Sequence, residues 1–268
     1  MRGERQGRLA LWLVLAVVGC SSWRTPPLPV ADRVVRDQLV LYSDFEVPQK
    51  DRLLAELEGL RRHVSEQLQL SSSGEAVHVY LFKTPRRYRA FMQKHFDRYP
   101  PRRALFVKTD NQLNVYAQWG NHVAEDLRHE VCHGYLHAAM ADLPLWLDEG
   151  LAEYFEVPQV QQGLNSENLA ALQELVTEPS WMPDLMRLER LQTIDDLDRR
   201  DYAESWAWVH FLLHSEAHRR ELLKDYLRQL QEGRPQRPFS ERLGEAEPEM
   251  AVLLRQHVRR LVAGAGVR

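Results

Sequence analysis

The segment His129-Glu130-Val131-Cys132-His133 constrains this chain more than any other feature. Four residues advance an α-helix by about 400°, so two imidazoles at this spacing stack on one face, roughly 6 Å apart along the axis. Such a pair is a two-point clamp for Zn²⁺, which takes imidazole nitrogen at about 2.0–2.1 Å. Glu130 lies about 100° further round the helix, where it can reach a water on the metal without being a ligand itself. A fold that uses this segment must turn one helix face toward a polar cleft and bring a third ligand from elsewhere.

A source for that ligand follows downstream. Pro144 suits the first turn of a second helix, and Trp146, Leu147, Leu151, Tyr154 and Phe155 give it an apolar stripe to pack on the first. Glu149 and Glu153 are one turn apart on this helix and share a face. Of two carboxylates opposing two histidines, one completes a His₂Glu zinc site. The other can fix a ligand histidine's tautomer through its free ring N–H.

His129-Glu130-x-x-His133 followed by Trp146-Leu147-Asp148-Glu149-Gly150 resembles the gluzincin metallopeptidases, and more narrowly their peptidase-MA-like group, over residues 75–215. The resemblance implies a zincin-like fold and a zinc-dependent peptidase, with His129, His133 and Glu149 as metal ligands and Glu153 as a supporting carboxylate. Counting by the interval common in that family instead nominates Glu153, twenty positions after His133, over Glu149, sixteen after. A shortened loop that leaves the local Asp-Glu-Gly geometry intact favours Glu149. Tyr202 resembles the tyrosine that offers a hydroxyl to the oxyanion in gluzincin aminopeptidases, although a core aromatic at a helix start is the other reading. No residue for capturing a free amino terminus is identifiable. In the implied chemistry the metal lowers the pKa of a bound water toward about 7, and Glu130 carries its proton to the leaving amine. Two alternatives stand beside a peptidase acting on peptide or protein. One is a lipoprotein that keeps the metal for binding or structure, and the other is a hydrolase of a non-peptide amide.

The chain opens with a basic head and an apolar run from Leu9 to Val18, which reads as a signal peptide over residues 1–19. Val17-Val18-Gly19-Cys20 resembles a bacterial lipobox, so Cys20 is the expected lipidation site. Residues 20–32 then form a Pro-rich tether from the membrane. By what is known of lipoprotein sorting, Ser21 after this cysteine favours the outer membrane, facing the periplasm. Cys132 is the only other cysteine and is expected to pack in the core. A net charge of −3 argues against a nucleic-acid partner.

Between these ends the periodicity predicts an α+β domain over residues 33–232, a small mixed sheet followed by a mainly helical body, which the resemblance implies is zincin-like. Strands are expected at 39–43 and 77–82, and a hairpin from 104–107 and 113–116. The stretch Leu113 to Ala117 is the expected active-site edge, able to pair with an extended substrate. Residues 233–268 read as a linker and a last amphipathic helix. The further histidines have bland readings: His122 a helix start, His137 a helix end complementing the dipole, and His210 and His214 surface or packing groups.

Overall fold

The computed structural model describes residues 27–71, 73–99, 101–140, 142–234 and 236–265. The expected signal peptide and Cys20 lie outside these residues.

The architecture is α+β, as the periodicity predicts. Strands β1 (Asp32–Arg36), β2 (Leu39–Ser43), β3 (Val77–Phe82), β4 (Ala104–Thr109) and β5 (Gln112–Gln118) form one sheet in the order β1-β2-β3-β5-β4. The outer pairs are antiparallel, whereas β2–β3 and β3–β5 are parallel. Helix α1 (Lys50–Leu68) links β2 to β3, and α2 (Pro85–His95) follows β3. Thr84 accepts a hydrogen bond from the Arg87 N–H and Pro85 occupies the first turn, so the start of α2 was legible in the sequence. Beyond the sheet, the chain is helical: α3 (Val123–Ala139), α4 (Leu145–Phe155), α5 (Ser166–Thr177), α6 (Leu185–Leu188), α7 (Arg199–His214), α8 (Ala217–Gln231), α9 (Phe239–Ala246) and α10 (Met250–Ala265).

Alternation along the strands sorts the sheet into two faces. Val77, Val79, Leu81, Leu113, Val115 and Ala117 join the main core beneath α1 and α3. Tyr80, Phe82 and Tyr116 point the other way, against Tyr88 and Phe91 of α2. The C-terminal segment contributes Phe239, Leu243, Leu254 and Val258 to the same main core.

Asp32–Arg36 pairs with β2 as an edge strand that the sequence reading did not include, because its half-exposed valines gave little hydrophobic signal. One expectation changes here. The site-side edge of the sheet is β4, not the stretch 113–117. β5 has a neighbour on each side because the hairpin folds outward and leaves β4 at the margin.

Glycine allows the two helices carrying the motifs to sit close to their neighbours. A Cβ on Gly134 of α3 would stand 2.7 Å from a Val77 methyl on β3. One on Gly150 of α4 would stand 2.6 Å from the Ser205 carbonyl oxygen on α7. Both distances are shorter than van der Waals contact, so any larger residue forces the helices apart.

On α7, buried His210 meets His257 of α10, Nδ1 to Nε2, at 2.9 Å. Burial, reinforced by neighbouring imidazoles, holds His210 down to about 3, and burial with Arg260 holds His257 down to about 4. One ring donates and the other accepts, so protonating the acceptor leaves two donors face to face, and protonating the donor buries an uncompensated charge. The unfolded chain binds the protons that this pair refuses. Its contribution is therefore complete above the ordinary imidazole pKa near 6.5 and declines as pH falls toward 4. The urea midpoint should drop less between pH 7 and pH 5 in His257→Gln than in the parent, by the equivalent of roughly 1–2 kcal/mol. Equal drops in the two proteins would contradict this origin of the acid sensitivity.

Candidate metal centre

Helix α3 stacks His129 over His133, and their Nε2 atoms stand 3.2 Å apart. Glu149, on α4, brings its Oε2 to 3.6 Å from each of them. Four ligands at about 2.0–2.1 Å around a tetrahedral ion stand about 3.3–3.4 Å from one another, so this triangle has the dimensions of a zinc face. Glu149 is 2% exposed, and its Oε2 is buried without a hydrogen-bond partner. A buried carboxylate oxygen left bare is costly unless a cation meets it. The residues therefore fit a divalent metal. His129, His133 and Glu149 form one of two groups of potential ligands among the described residues, the other being His129, Glu153 and Glu156.

The far nitrogens of both rings are held by carboxylates. His133 Nδ1 lies 2.8 Å from Asp148 Oδ1, and His129 Nδ1 lies 2.9 Å from Glu156 Oε2. An imidazole that gives its Nδ1 proton to a carboxylate presents the Nε2 lone pair outward, which is the tautomer a metal requires. Burial alone would keep these rings neutral. The carboxylates outweigh it: Asp148 and Glu149 raise His133 to about 10, and Glu149 and Glu156 raise His129 well above its usual value. Reciprocally, despite burial, the imidazoles hold Glu149 down to about 2 and Asp148 lower still. The pocket is built for positive charge.

Glu153, expected to steady a ligand histidine, does something else. Its Oε2 accepts from Asn165 Nδ2 at 3.1 Å and from Asn168 Nδ2 at 2.8 Å. Burial and the neighbouring Glu156 raise it to about 7. The steadying carboxylates are Asp148 and Glu156, which the sequence reading passed over. Asp148 stood within the quoted motif, and Glu156 lies three residues beyond Glu153 on its helix. Asn165 carries an N-cap signal: its Oδ1 caps α5 by accepting from the N–H groups of Glu167 and Asn168. Capping points its Nδ2 at Glu156 Oε1, 2.6 Å away. His137 lies in the last turn of α3, as expected, and also shares Asp148 with His133, its Nε2 2.9 Å from Oδ2. Cys132 is fully buried, where desolvation pushes its thiol pKa up, in keeping with a packing role.

Glu130 faces the neighbouring cleft, and the Phe106 N–H on β4 donates to its Oε2 at 2.6 Å. The Phe106 ring stacks on His133 and His137 at interplanar angles of 21° and 19°. The cleft encloses about 740 Å³, and His129, Glu130, Glu153, Glu156, Arg102 and Tyr202 are in its wall. A capping box between Asp198 and Asp201 starts α7, which puts Tyr202 in the first turn. The Tyr202 hydroxyl accepts from Arg102 Nη2 at 2.9 Å.

The family described as "Protein of unknown function (DUF1570)" matches residues 124–237, a span that contains all three potential ligands. No curated protein matches the sequence. Among solved structures, the crystal structure of an M1 zinc metallopeptidase from Deinococcus radiodurans is similar at 19% identity with a TM-score of 0.48. The match covers 88% of this chain and 51% of that one, so this chain spans about half the length of that protein.

Glu149 is the carboxylate grouped with both histidines, whereas Glu153 is grouped with His129 and Glu156. Glu149→Gln should lower zinc affinity at least about 10-fold in a competitive chelator titration, with Glu153→Gln keeping near-parental affinity. The reverse order would transfer the role to Glu153.

Proposed function

We propose that this protein is a zinc-dependent peptidase. The observation that carries the reading is the His129–His133–Glu149 triangle, with a bare buried oxygen, set beside Glu130 in an open cleft. Bound there, zinc supplies a Lewis acid that activates water and polarises a carbonyl. Glu130 takes the proton of the attacking water and delivers it to the leaving nitrogen. The Phe106 N–H fixes one carboxylate oxygen and leaves the other for this transfer. Because the Tyr202 hydroxyl accepts from Arg102, its own proton is free to point at developing negative charge on the substrate oxygen. Burial, with Glu149 nearby, raises Tyr202 to about 12, so it remains a donor at neutral pH. Strand β4 lies at the sheet edge and Ala104 lines the cleft, which favours an extended backbone as the guest.

The test is a peptide-library cleavage screen on zinc-loaded protein. Glu130→Gln should keep its zinc and lose about 10²- to 10⁴-fold in turnover. Tyr202→Phe should lose about 10²-fold in kcat with zinc content unchanged. Parental turnover in Glu130→Gln would remove the mechanism.

We also propose that the chain is held at a bacterial outer membrane through lipid on Cys20, with its catalytic body in the periplasm. No helix among the described residues is long and apolar enough to cross a membrane, so the reading rests on the amino-terminal pattern alone. Cys20→Ala should move the protein from the membrane fraction to the soluble one. Continued sedimentation with membranes would reject the anchor.

A further inference from the structure

Arg102 is a cation whose charge Glu149 and Glu130 act on from a distance, neither reaching it in an ion pair. It is half-buried in the cleft wall, and the Tyr202 hydroxyl takes one of its five N–H donors. Among the described residues no carboxylate forms an ion pair with it. Arg103, next along the chain, makes three hydrogen bonds of 2.7–3.0 Å to Asp126. None of the Arg102 nitrogens is buried without a partner, so its remaining N–H groups face the solvent of the cleft and are open to an acceptor from outside.

The surroundings say what kind of acceptor. Arg102 lines the cleft beside the metal centre, and it also lines a second cavity of about 380 Å³. Arg89 and Pro101 are shared between the two, so the spaces adjoin. Tyr88, Met92, Phe96, Tyr99 and Leu105 give the second cavity apolar walls. A group bonded to Arg102 thus stands where a polar cleft meets an apolar chamber. Arg89 and Arg199 add exposed positive charge to the cleft. Of its acidic residues, Asp126 is taken by Arg103, Glu153 and Glu156 by asparagine amides, and Asp198 by the start of α7. Glu130 accepts from the Phe106 N–H and lies close enough to act on Arg102, while Glu125 and Glu167 lie close enough to Arg103 to act on its charge.

A planar anion and an apolar side chain carried on one carbon describe the last residue of a peptide. A guanidinium fork matches a carboxylate through two parallel hydrogen bonds. We infer that Arg102 captures the terminal carboxylate of a peptide whose final apolar side chain enters the adjoining chamber, making the enzyme a carboxypeptidase for apolar C-termini. The inference rests on the peptidase reading for the bond cleaved, but not for the capture itself. Tyr202 joins the two functions. It is held by the residue that anchors the end of the chain while its proton faces the bond to be cut.

The probes are hippuryl-L-phenylalanine, its C-terminal amide, and hippuryl-glycine. Zinc-loaded parent protein should favour the free acid over the amide by at least about 10-fold in kcat/KM, the size expected for a hydrogen-bonded charge. Phenylalanine should exceed glycine by a similar margin. Arg102→Gln should bring the acid-to-amide ratio close to one, and Arg102→Lys should keep part of it. Binding of the same probes to zinc-loaded Glu130→Gln, measured by calorimetry, reads the capture without hydrolysis. If neither probe is cut but binding still prefers the acid through Arg102, the anchor stands and the peptidase reading fails. Equal handling of acid and amide by the parent, or no binding of either, overturns the inference and leaves the hydrolytic chemistry to be judged by the library screen.

Discussion

Everything at this site follows from burying more negative charge than the protein itself can neutralise. Glu130, Asp148, Glu149, Glu153 and Glu156 converge on His129, His133 and His137. Carboxylates withdrawn from water are stable only where cations or hydrogen-bond donors replace it. Asparagine amides serve Glu153 and Glu156, a strand amide serves Glu130, and imidazoles serve Asp148. Among the described residues Glu149 Oε2 has only the two ring nitrogens, each 3.6 Å away, with Arg102 acting on its charge from further off. Without a metal, protons on those rings must supply the missing charge; with one, the ion supplies it and the rings become ligands.

The scaffold makes this arrangement stiff. Val131 and Cys132, between the two histidines, are fully buried in the main core, as are Trp146, Leu147 and Leu151 around Glu149. The ligand side chains thus project from helices whose other sides are packed solid. Gly134 and Gly150 let those helices press on the sheet and on α7 at backbone distance. Ligand spacing is accordingly a property of the core, and a distant substitution that shifts α4 by half an ångström also shifts Glu149.

Much of this was legible in the residues, because helical periodicity is a strong signal and the two motifs lie on helices. The pairing of His129 with His133 came from spacing and the role of α4 from its apolar stripe and the resemblance, while the preference for Glu149 rested on the Asp-Glu-Gly segment against an interval count that nominated Glu153. What escaped was set by tertiary contact. Asp148 and Glu156 reach the histidines only after α4 has rotated against α3, and Asn165 reaches Glu156 only after a loop has turned back. Strand order escaped for a similar reason: alternation identifies β4 and β5 as strands, but not which of them ends the sheet. Arg102 sat in a Pro/Arg-rich stretch that reads as an ordinary loop, and that it forms no ion pair among the described residues is visible only in three dimensions.

The bond from the Phe106 amide to Glu130 has a consequence for anything lying along β4. An extended guest finds that one donor on this edge is already taken, right beside the acid, so its ladder lacks a rung at the point of attack. Grip must then come from either side of that gap. On the proposed peptidase reading, a guest held in this way comes loose in two pieces once it is cut, so the same gap that weakens its ladder empties the cleft.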